Sequence, residues 1–513
     1  MKQTNTDILH QIEEILNIGI ALSMEKDHDR LLEMIVYEAR RITNADGGTL
    51  YLRDGDLLVF KIIQNQTLHT FKGGKGEPID LPPVPMRLEN VSAYAALRNE
   101  RINIPDVYAA AGFDFSGPKN YDQITGYRTV SMLVTPLENH EGEVIGVLQL
   151  INALDENNQP IPFSPVYEKV ISSLASQAAI SLTNQQLIAD IEQLFNSFVE
   201  VMATAIDSRT PYNANHTRRV ALLSGALAAV IEAETEGCWA EVVFDETRTK
   251  QLLMSAWLHD IGKIATPLEV MNKCSRIERR LELILQRLDY IWQKTHSEYL
   301  EKKLELTSAG EASEVQLKAL EDAWAEQQEV IAQSRALIIR ADDPATFVDD
   351  AIQQELQQIG ARRYADPAGQ EQPWLTQDEL IHLSVTKGTL TDEERIVMED
   401  HVQVTRRMLD KIPFTTKLKD VPFFAGIHHE HLDGKGYPLG LKGEEIPLEG
   451  RILALTDVFD ALTAADRPYK KALSIGQSLK ILGFMVKDGE LDGDLLDLFV
   501  KHRVWEMIAS DEA

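Results

Sequence analysis

At 513 residues the chain is too long for one hydrophobic core, and two or three domains are expected. A net charge of -29 excludes binding to nucleic acid or anionic membrane except through a local basic patch. The two cysteines, Cys238 and Cys274, exclude a disulfide framework, and no run reaches the ~18–20 apolar residues of a membrane helix, so a cytoplasmic protein is expected.

Apolar residues at helical spacing, such as Ile12, Ile15, Leu16 and Ile20, predict a helix over about Leu9 to Ala39. Strands follow at 48–52 and 57–63, joined by the turn Arg53-Asp54-Gly55-Asp56. A second pair is expected at 131–137 and 144–150, around Glu141-Gly142-Glu143. Helix, antiparallel strands, helix is an α+β sensory-domain layout. From Ser164 to Asp207 there is no glycine, and no proline after Pro165. One seam runs Val170, Gln177, Asn184, Ile191, Phe198, Ala205, and another runs Ile180, Leu187, Leu194, Val201. These seams predict a parallel coiled coil in which Asn184 sets the register. The alternative is one amphipathic helix packed on its own domain.

The stretch Leu258-His259-Asp260-Ile261-Gly262-Lys263 offers an imidazole and a carboxylate to one neighbourhood, with Lys263 a turn away to hold an anionic oxygen. Before it, Asn215-His216-Thr217-Arg218-Arg219-Val220 opens an apolar helix through Ile231, with His216 and Arg219 on one face. After it, the capping box Thr391-Asp392-Glu393-Glu394 starts a helix bearing His401. Then come the segment from His428 and His429 through Gly436-Tyr437-Pro438, and a helix from Arg451 to Leu462 bearing Asp457 and Asp460. The set His216, His259, Asp260, His401, His428, His429 and Asp457 has nitrogen and oxygen donors in numbers fit for a two-metal centre. Its lack of thiolates argues against a structural zinc knot.

Two resemblances carry these observations further. Ile104-Pro105-Asp106-Val107-Tyr108, Thr125-Gly126-Tyr127-Arg128-Thr129 and Gln149-Leu150-Ile151-Asn152 resemble a GAF domain over about 8–165. The resemblance implies a small-ligand sensor or a dimerising scaffold. Cyclic-nucleotide-binding members have Asn-Lys where this chain has Asn152-Ala153, and only Phe163 and Glu168 echo the rest of that motif. The later motifs, with Asp457-Val458-Phe459-Asp460 and Arg467-Pro468-Tyr469-Lys470, resemble an HD-GYP phosphodiesterase. That resemblance implies hydrolysis of cyclic di-GMP to the linear dinucleotide or GMP. It matches the seven residues above to metal ligands, and Lys263, Tyr437, Asp460, Arg467 and Lys470 to the substrate's surroundings. The cations implied are Fe or Mn, with Ni or Zn as alternatives. A partner protein at the Gly-Tyr-Pro loop is a further implication.

The expected fold class is multidomain. An α+β GAF domain (1–165) is followed by a coiled-coil-like linker helix (166–207). An all-α HD-GYP domain (208–485) carries a helical insertion (275–385), and a C-terminal helix (486–513) closes the chain. Within the insertion, helices are expected from Arg276 to Lys303 and from Glu314 to Arg340, as a hairpin or as a lid over the site. A homodimer through the GAF domain and linker is expected. Three departures from the family pattern stand out. Tyr212 replaces a glutamate that serves a third metal, so two metals are expected. The spacing from Asp457 to Arg467 is one residue longer than usual. Thr405 stands where a glycine is common, without evident consequence. The competing readings are a silent cyclic-dinucleotide receptor, a phosphodiesterase for cyclic GMP-AMP, and a hydrolase of simple nucleotides.

Overall fold

Period-2 alternation organises the N-terminal sheet: Leu50, Leu133, Leu148 and Leu150 face one side, and Tyr51, Met132, Val134 and Val147 the other. The computed structural model describes residues 13, 16–209, 215–308, 313–464 and 472–508, so Tyr212, Arg467 and Lys470 lie outside the described residues. The chain forms two compact units, Met1–Phe195 and Asn196–Ala513.

In the first unit the N-terminal helix expected as one piece is two, α1 (16–24) and α2 (His28–Thr43). The break falls where Asp27 takes extended backbone and its carboxylate accepts the Arg30 N–H at 3.1 Å. The strands are β1 (Ala45–Asp54), β2 (Leu57–Asn65), β3 (Thr70–Lys72), β4 (Val84–Pro85), β5 (Ile102–Ile104), β6 (Met132–Glu138), β7 (Val144–Leu154) and β8 (Pro160–Ile161). They pair antiparallel in the order β3-β2-β1-β7-β6-β5, with β4 on β2 and β8 on β7. The four predicted strands are β1, β2, β6 and β7. The other four span two or three residues each, too few to show a period. One face packs on α2 and on Leu174, Ala175, Ala178 and Ala179 of α5 (Pro165–Asp207), and the other on α3 (Val91–Arg98). Another helix, α4 (Ser116–Thr125), leads to a buried polar knot. There Tyr127 donates to Asp46 at 2.5 Å, and Asn152 donates to Tyr127 at 2.8 Å while accepting the Val130 N–H at 2.7 Å. Phe163 is buried in the core, and Glu168 accepts from Asn103 at 2.9 Å.

The second unit is helical. Its main core joins α6 (His216–Ala233), α7 (Glu246–Leu258), α15 (Leu448–Thr463), α16 (Ile475–Lys487) and α17 (Gly493–Lys501). The C-terminal helix expected over 486–513 is broken, within the described residues, into α17 and α18 (Val504–Met507), because Arg503 adopts left-handed backbone with φ 50. The insertion is more than a hairpin. After α8 (Leu268–Met271) come α9 (Arg280–Ser308), α10 (Glu314–Asp342), α11 (Asp350–Ala361) and α12 (Gln377–Leu383). They enclose a core of their own that includes Ile284, Leu288, Ile338, Leu356, Trp374 and Leu383. A two-stranded hairpin, β9 (Arg363–Ala365) and β10 (Glu371–Pro373), departs from the all-α expectation. Asp366 and Gly369 turn it, the carboxylate accepting the Ala368 and Gln370 N–H groups at 2.9 Å each. Among the described residues no helix is long and apolar enough to cross a membrane.

One arginine closes the root of this lobe. Arg276 is 0% exposed, and its guanidinium donates to the carbonyls of Val385 (2.9 Å), Ala341 (2.7 Å), Asp343 (2.6 Å) and Thr346 (2.7 Å). The fork thereby joins the chain entering the lobe to the chain leaving it. Arg276→Met leaves these carbonyls without a donor and is expected to destabilise the lobe by about 3 kcal/mol. Urea unfolding followed with limited proteolysis across 275–385 measures this.

Candidate metal centre

Four helices and two turns deliver the seven candidate ligands. His216 is the first residue of α6 and His259 caps the C-terminus of α7. Asp260 opens the 3-10 turn Ile261–Ala265. His401 lies in α13 (Asp392–Leu409), started by the predicted capping box of Thr391 and Glu394. His428 and His429 follow α14 (Val421–Ala425), and Asp457 lies in α15. Gly262 makes the turn possible, because a Cβ there would sit 1.9 Å from the His401 carbonyl oxygen. Thr405 then locks it. Its hydroxyl accepts the Gly262 N–H at 2.9 Å and donates to the His259 carbonyl at 2.9 Å. The residue read as inconsequential in the sequence therefore ties the His-Asp turn to α13.

The imidazoles are oriented by a repeated device. His259, His401 and His428 each donate Nδ1–H to the carbonyl three residues back: Ala256 at 2.7 Å, Met398 at 2.6 Å and Ala425 at 2.8 Å. A carbonyl can only accept, so the proton sits on Nδ1 and the Nε2 lone pair points inward. His216 instead meets Asp460 through Nδ1, at 2.7 Å.

Asp260 stands in the middle. Its Oδ2 lies 3.3 Å from His259 Nε2 and 3.5 Å from His216 Nε2, while Oδ1 lies 3.5 Å from His401 Nε2 and 4.0 Å from His428 Nε2. Asp457 Oδ1 is 3.2 Å from His216 Nε2 and 3.8 Å from His259 Nε2. Three overlapping donor groups result: His216, His259 and Asp457; His259, Asp260 and His428; and His401, His428 and His429. His259 Nε2, His401 Nε2, His428 Nε2 and Asp260 Oδ1 are all buried without a hydrogen-bond partner. Such converging dry acceptors are costly alone and fit a divalent cation with nitrogen and oxygen preference.

The charges agree with that chemistry. Burial alone would raise the Asp260 carboxyl, but Lys263, His259 and His216 hold it well below the usual carboxylate range. Burial likewise opposes ionisation of Asp457, and His216 and His259 overcome it. Burial pushes His429 down to about 3, and burial with its imidazole neighbours pushes His428 well below its ordinary value. Both rings are thus neutral donors. Burial lowers His216 as well, but the carboxylates of Asp260, Asp457 and Asp460 outweigh it and leave it raised.

The residues expected around the substrate divide. Lys263 Nζ rests on Asp260 Oδ2 at 2.5 Å. The Tyr437 ring packs on His429 with centroids 4.9 Å apart, and its phenol is raised by burial and by nearby carboxylates, so it remains an O–H donor. Asp460, expected near the substrate, is 3% exposed, and its oxygens meet His216 and Arg219, whose Nε and Nη2 donate at 2.6 and 3.0 Å. That contact orients the His216 ring. The shared face of His216 and Arg219 was the sequence signal for this pair. Glu430 was missed. It is buried and accepts the N–H groups of Leu439 (2.6 Å) and Leu441 (2.9 Å), fastening the loop that carries Tyr437. An acid directly after two imidazoles was its only signal.

Comparison with known proteins agrees with both domains. The GAF domain family matches residues 27–182 and the HD domain family residues 377–495. The chain carries a GAF domain followed by an HD domain related to those of cyclic dinucleotide phosphodiesterases. It is 36% identical over 127 residues to the 3'3'-cGAMP-specific phosphodiesterase 1 of Vibrio cholerae, covering 25% of this chain and 28% of that one. It is 44% identical over 95 residues to the cyclic di-GMP phosphodiesterase response regulator RpfG of Xanthomonas campestris, covering 18% and 25%. A cyclic di-GMP phosphodiesterase of Thermotoga maritima is 25% identical over 267 residues, covering 49% and 67%. The chain thus spans about a quarter of the length of the first curated relatives it matches. His216, His259 and Asp260 precede the matched HD range, and only the fold brings them beside His401, His428, His429 and Asp457.

Replacing the Thr405 hydroxyl removes two buried hydrogen bonds from the turn. Thr405→Val is expected to cost about 2 kcal/mol of stability and to weaken metal uptake, whereas Thr405→Ser stays near the parent. Thermal unfolding with and without Mn2+ tests both.

Proposed function

We propose that the chain is a metal-dependent phosphodiesterase that opens cyclic di-GMP to the linear dinucleotide or onward to GMP, under control of its GAF domain. The observation that carries this reading is Asp260, whose two oxygens face two different sets of imidazoles. A carboxylate so placed suits a bridge between two cations. On this reading His216, His259 and Asp457 would hold one, His401, His428 and His429 the other, and Asp260 would serve both. Fe or Mn is favoured, with Ni or Zn compatible with the donors.

When bound, the cations supply Lewis acidity toward the phosphodiester and an activated water. The chain's own residues do the rest. The backbone carbonyls of Ala256, Met398 and Ala425 hold the rings in the ligating tautomer. Arg219 and Asp460 hold His216. Lys263 brings an ammonium to the centre, where charge gathers on the phosphate oxygens during in-line displacement. The loop fixed by Glu430 presents Tyr437 as a ring and an O–H donor beside the site. Arg467 and Lys470 are assigned to the phosphate by resemblance alone.

The similarity to a relative named for 3'3'-cGAMP, beside those named for cyclic di-GMP, supports a second reading in which cyclic GMP-AMP is the substrate. Mn-loaded protein is therefore incubated with each dinucleotide and the products separated by chromatography. Turnover of at least one is expected, and Asp260→Asn is expected to lower kcat by at least about a thousandfold. No turnover of either by a metal-loaded chain would favour a silent receptor.

We also propose that residues 166–207 link the domains as a parallel coiled coil in a homodimer. α5 buries Ile171, Leu174, Ala178 and Leu182 against its own sheet. A second apolar stripe at heptad spacing, Leu187, Ile191, Leu194, Phe198 and Val201, is exposed. A helix packed only on its own domain leaves that second stripe unexplained. Leu194→Asp with Phe198→Asp is expected to shift the protein from dimer to monomer in sedimentation equilibrium.

A further inference from the structure

The last stretch of α5 reaches the metal centre through a polar hook. Val199, Ala203 and Ile206 are buried, and the helix ends at Asp207. Just past that end, with its own N–H on the Ile206 carbonyl at 3.0 Å, stands Arg209. Its Nη1 donates to the carbonyls of Lys263, at 2.8 Å, and Ile264, and its Nη2 to that of Thr266 at 3.3 Å. These carbonyls belong to the 3-10 turn that begins at Asp260 and to the residue that ends it. The planar fork of an arginine spreads its N–H donors in a fixed geometry over several carbonyls, whereas the three donors of a lysine ammonium radiate from one nitrogen.

A second contact leaves the same helix end. The Asp207 carboxylate accepts the Thr217 hydroxyl at 3.0 Å, and Thr217 follows His216 in the first turn of α6. The end of α5 therefore grips two segments that carry candidate ligands, one at His216 and one at His259 and Asp260, well separated in sequence. Neither contact touches a candidate ligand's donor atom, so each acts on the position of the backbone that carries the ligand.

We propose that Arg209 is a positioning residue that couples the end of α5 to the His-Asp turn, so that movement of α5 resets Asp260 against the other ligands. The inference rests on the metal-centre reading above and adds the route by which an upstream domain acts on it. A shift of a reacting group by about 1 Å costs on the order of a hundredfold in rate, so small movements of the hook are enough.

The test uses the full chain and a probe independent of substrate. Co2+ is titrated into the parent, Arg209→Lys and Arg209→Met, and the visible absorption spectrum and uptake affinity are recorded beside urea unfolding. Arg209→Met is expected to alter the cobalt spectrum, weaken uptake about tenfold or more, and lower kcat more than it raises KM. Arg209→Lys is expected to fall between Arg209→Met and the parent. A spectrum and affinity equal to the parent's would overturn the proposal, even if the variant unfolds at lower urea, because the arginine would then be only a staple. If Arg209→Met does not fold, Arg209→Lys and Arg209→Gln carry the same comparison. A parent that takes up no cobalt would overturn the metal reading together with this inference. A parent that does so beside an unchanged variant would overturn this inference alone.

Discussion

Burying the carboxylate of Asp260 among imidazoles is the constraint that the helical unit answers to. A buried anion is expensive unless cations or donors surround it, and here His216, His259, Lys263, His401 and His428 converge on it from segments far apart in sequence. Each segment is held by something besides the ligands. Gly262 lets the turn touch the α13 backbone, Thr405 of α13 bonds that turn at His259 and Gly262, and the carbonyls three residues back aim three of the rings. Arg219 and Asp460 do for His216 what those carbonyls do for His259, His401 and His428. The centre is thus preorganised by backbone and neighbouring side chains, which is what a site must have if small misplacements are to be avoided.

The insertion interrupts the ligand set between Asp260 and His401 without disturbing it, because it folds on a core of its own and is closed at its root by Arg276. A lobe that satisfies its own apolar surface asks little of its host. The GAF unit is likewise self-sufficient, with two cores on the two faces of one sheet and a knot of Asp46, Tyr127 and Asn152 that consumes the polar groups of its motifs internally. Function that passes between such units needs a mechanical element, and α5 is the element whose ends lie in both.

Much of this was legible in one dimension. Alternation marked the four long strands, the glycine-free stretch marked α5, and the capping box at Thr391 marked the start of α13. Each is a local preference of backbone and side chain that needs no distant partner to be expressed. The spacing and types of the ligands were equally plain, since imidazoles and carboxylates beside glycine-rich turns have few structural uses. The short edge strands, the small hairpin of the insertion and the breaks at Asp27 and Arg503 were not. Their segments are too brief to show a period, and their conformation depends on caps and packing.

What the sequence by itself determined is the inventory: two domain types, a long connecting helix, and a set of nitrogen and oxygen donors without thiolates. What only the tertiary structure decided is the assignment of partners. It paired Asp460 with His216 and Arg219, made Thr405 a tie rather than a neutral replacement, and revealed Glu430, Arg276 and Arg209 as residues that hold backbone in place. The physical reason is that such roles are hydrogen bonds to carbonyls and N–H groups far away in the chain. Every residue carries those backbone groups, so they leave no mark on the sequence until the fold brings a particular side chain to them.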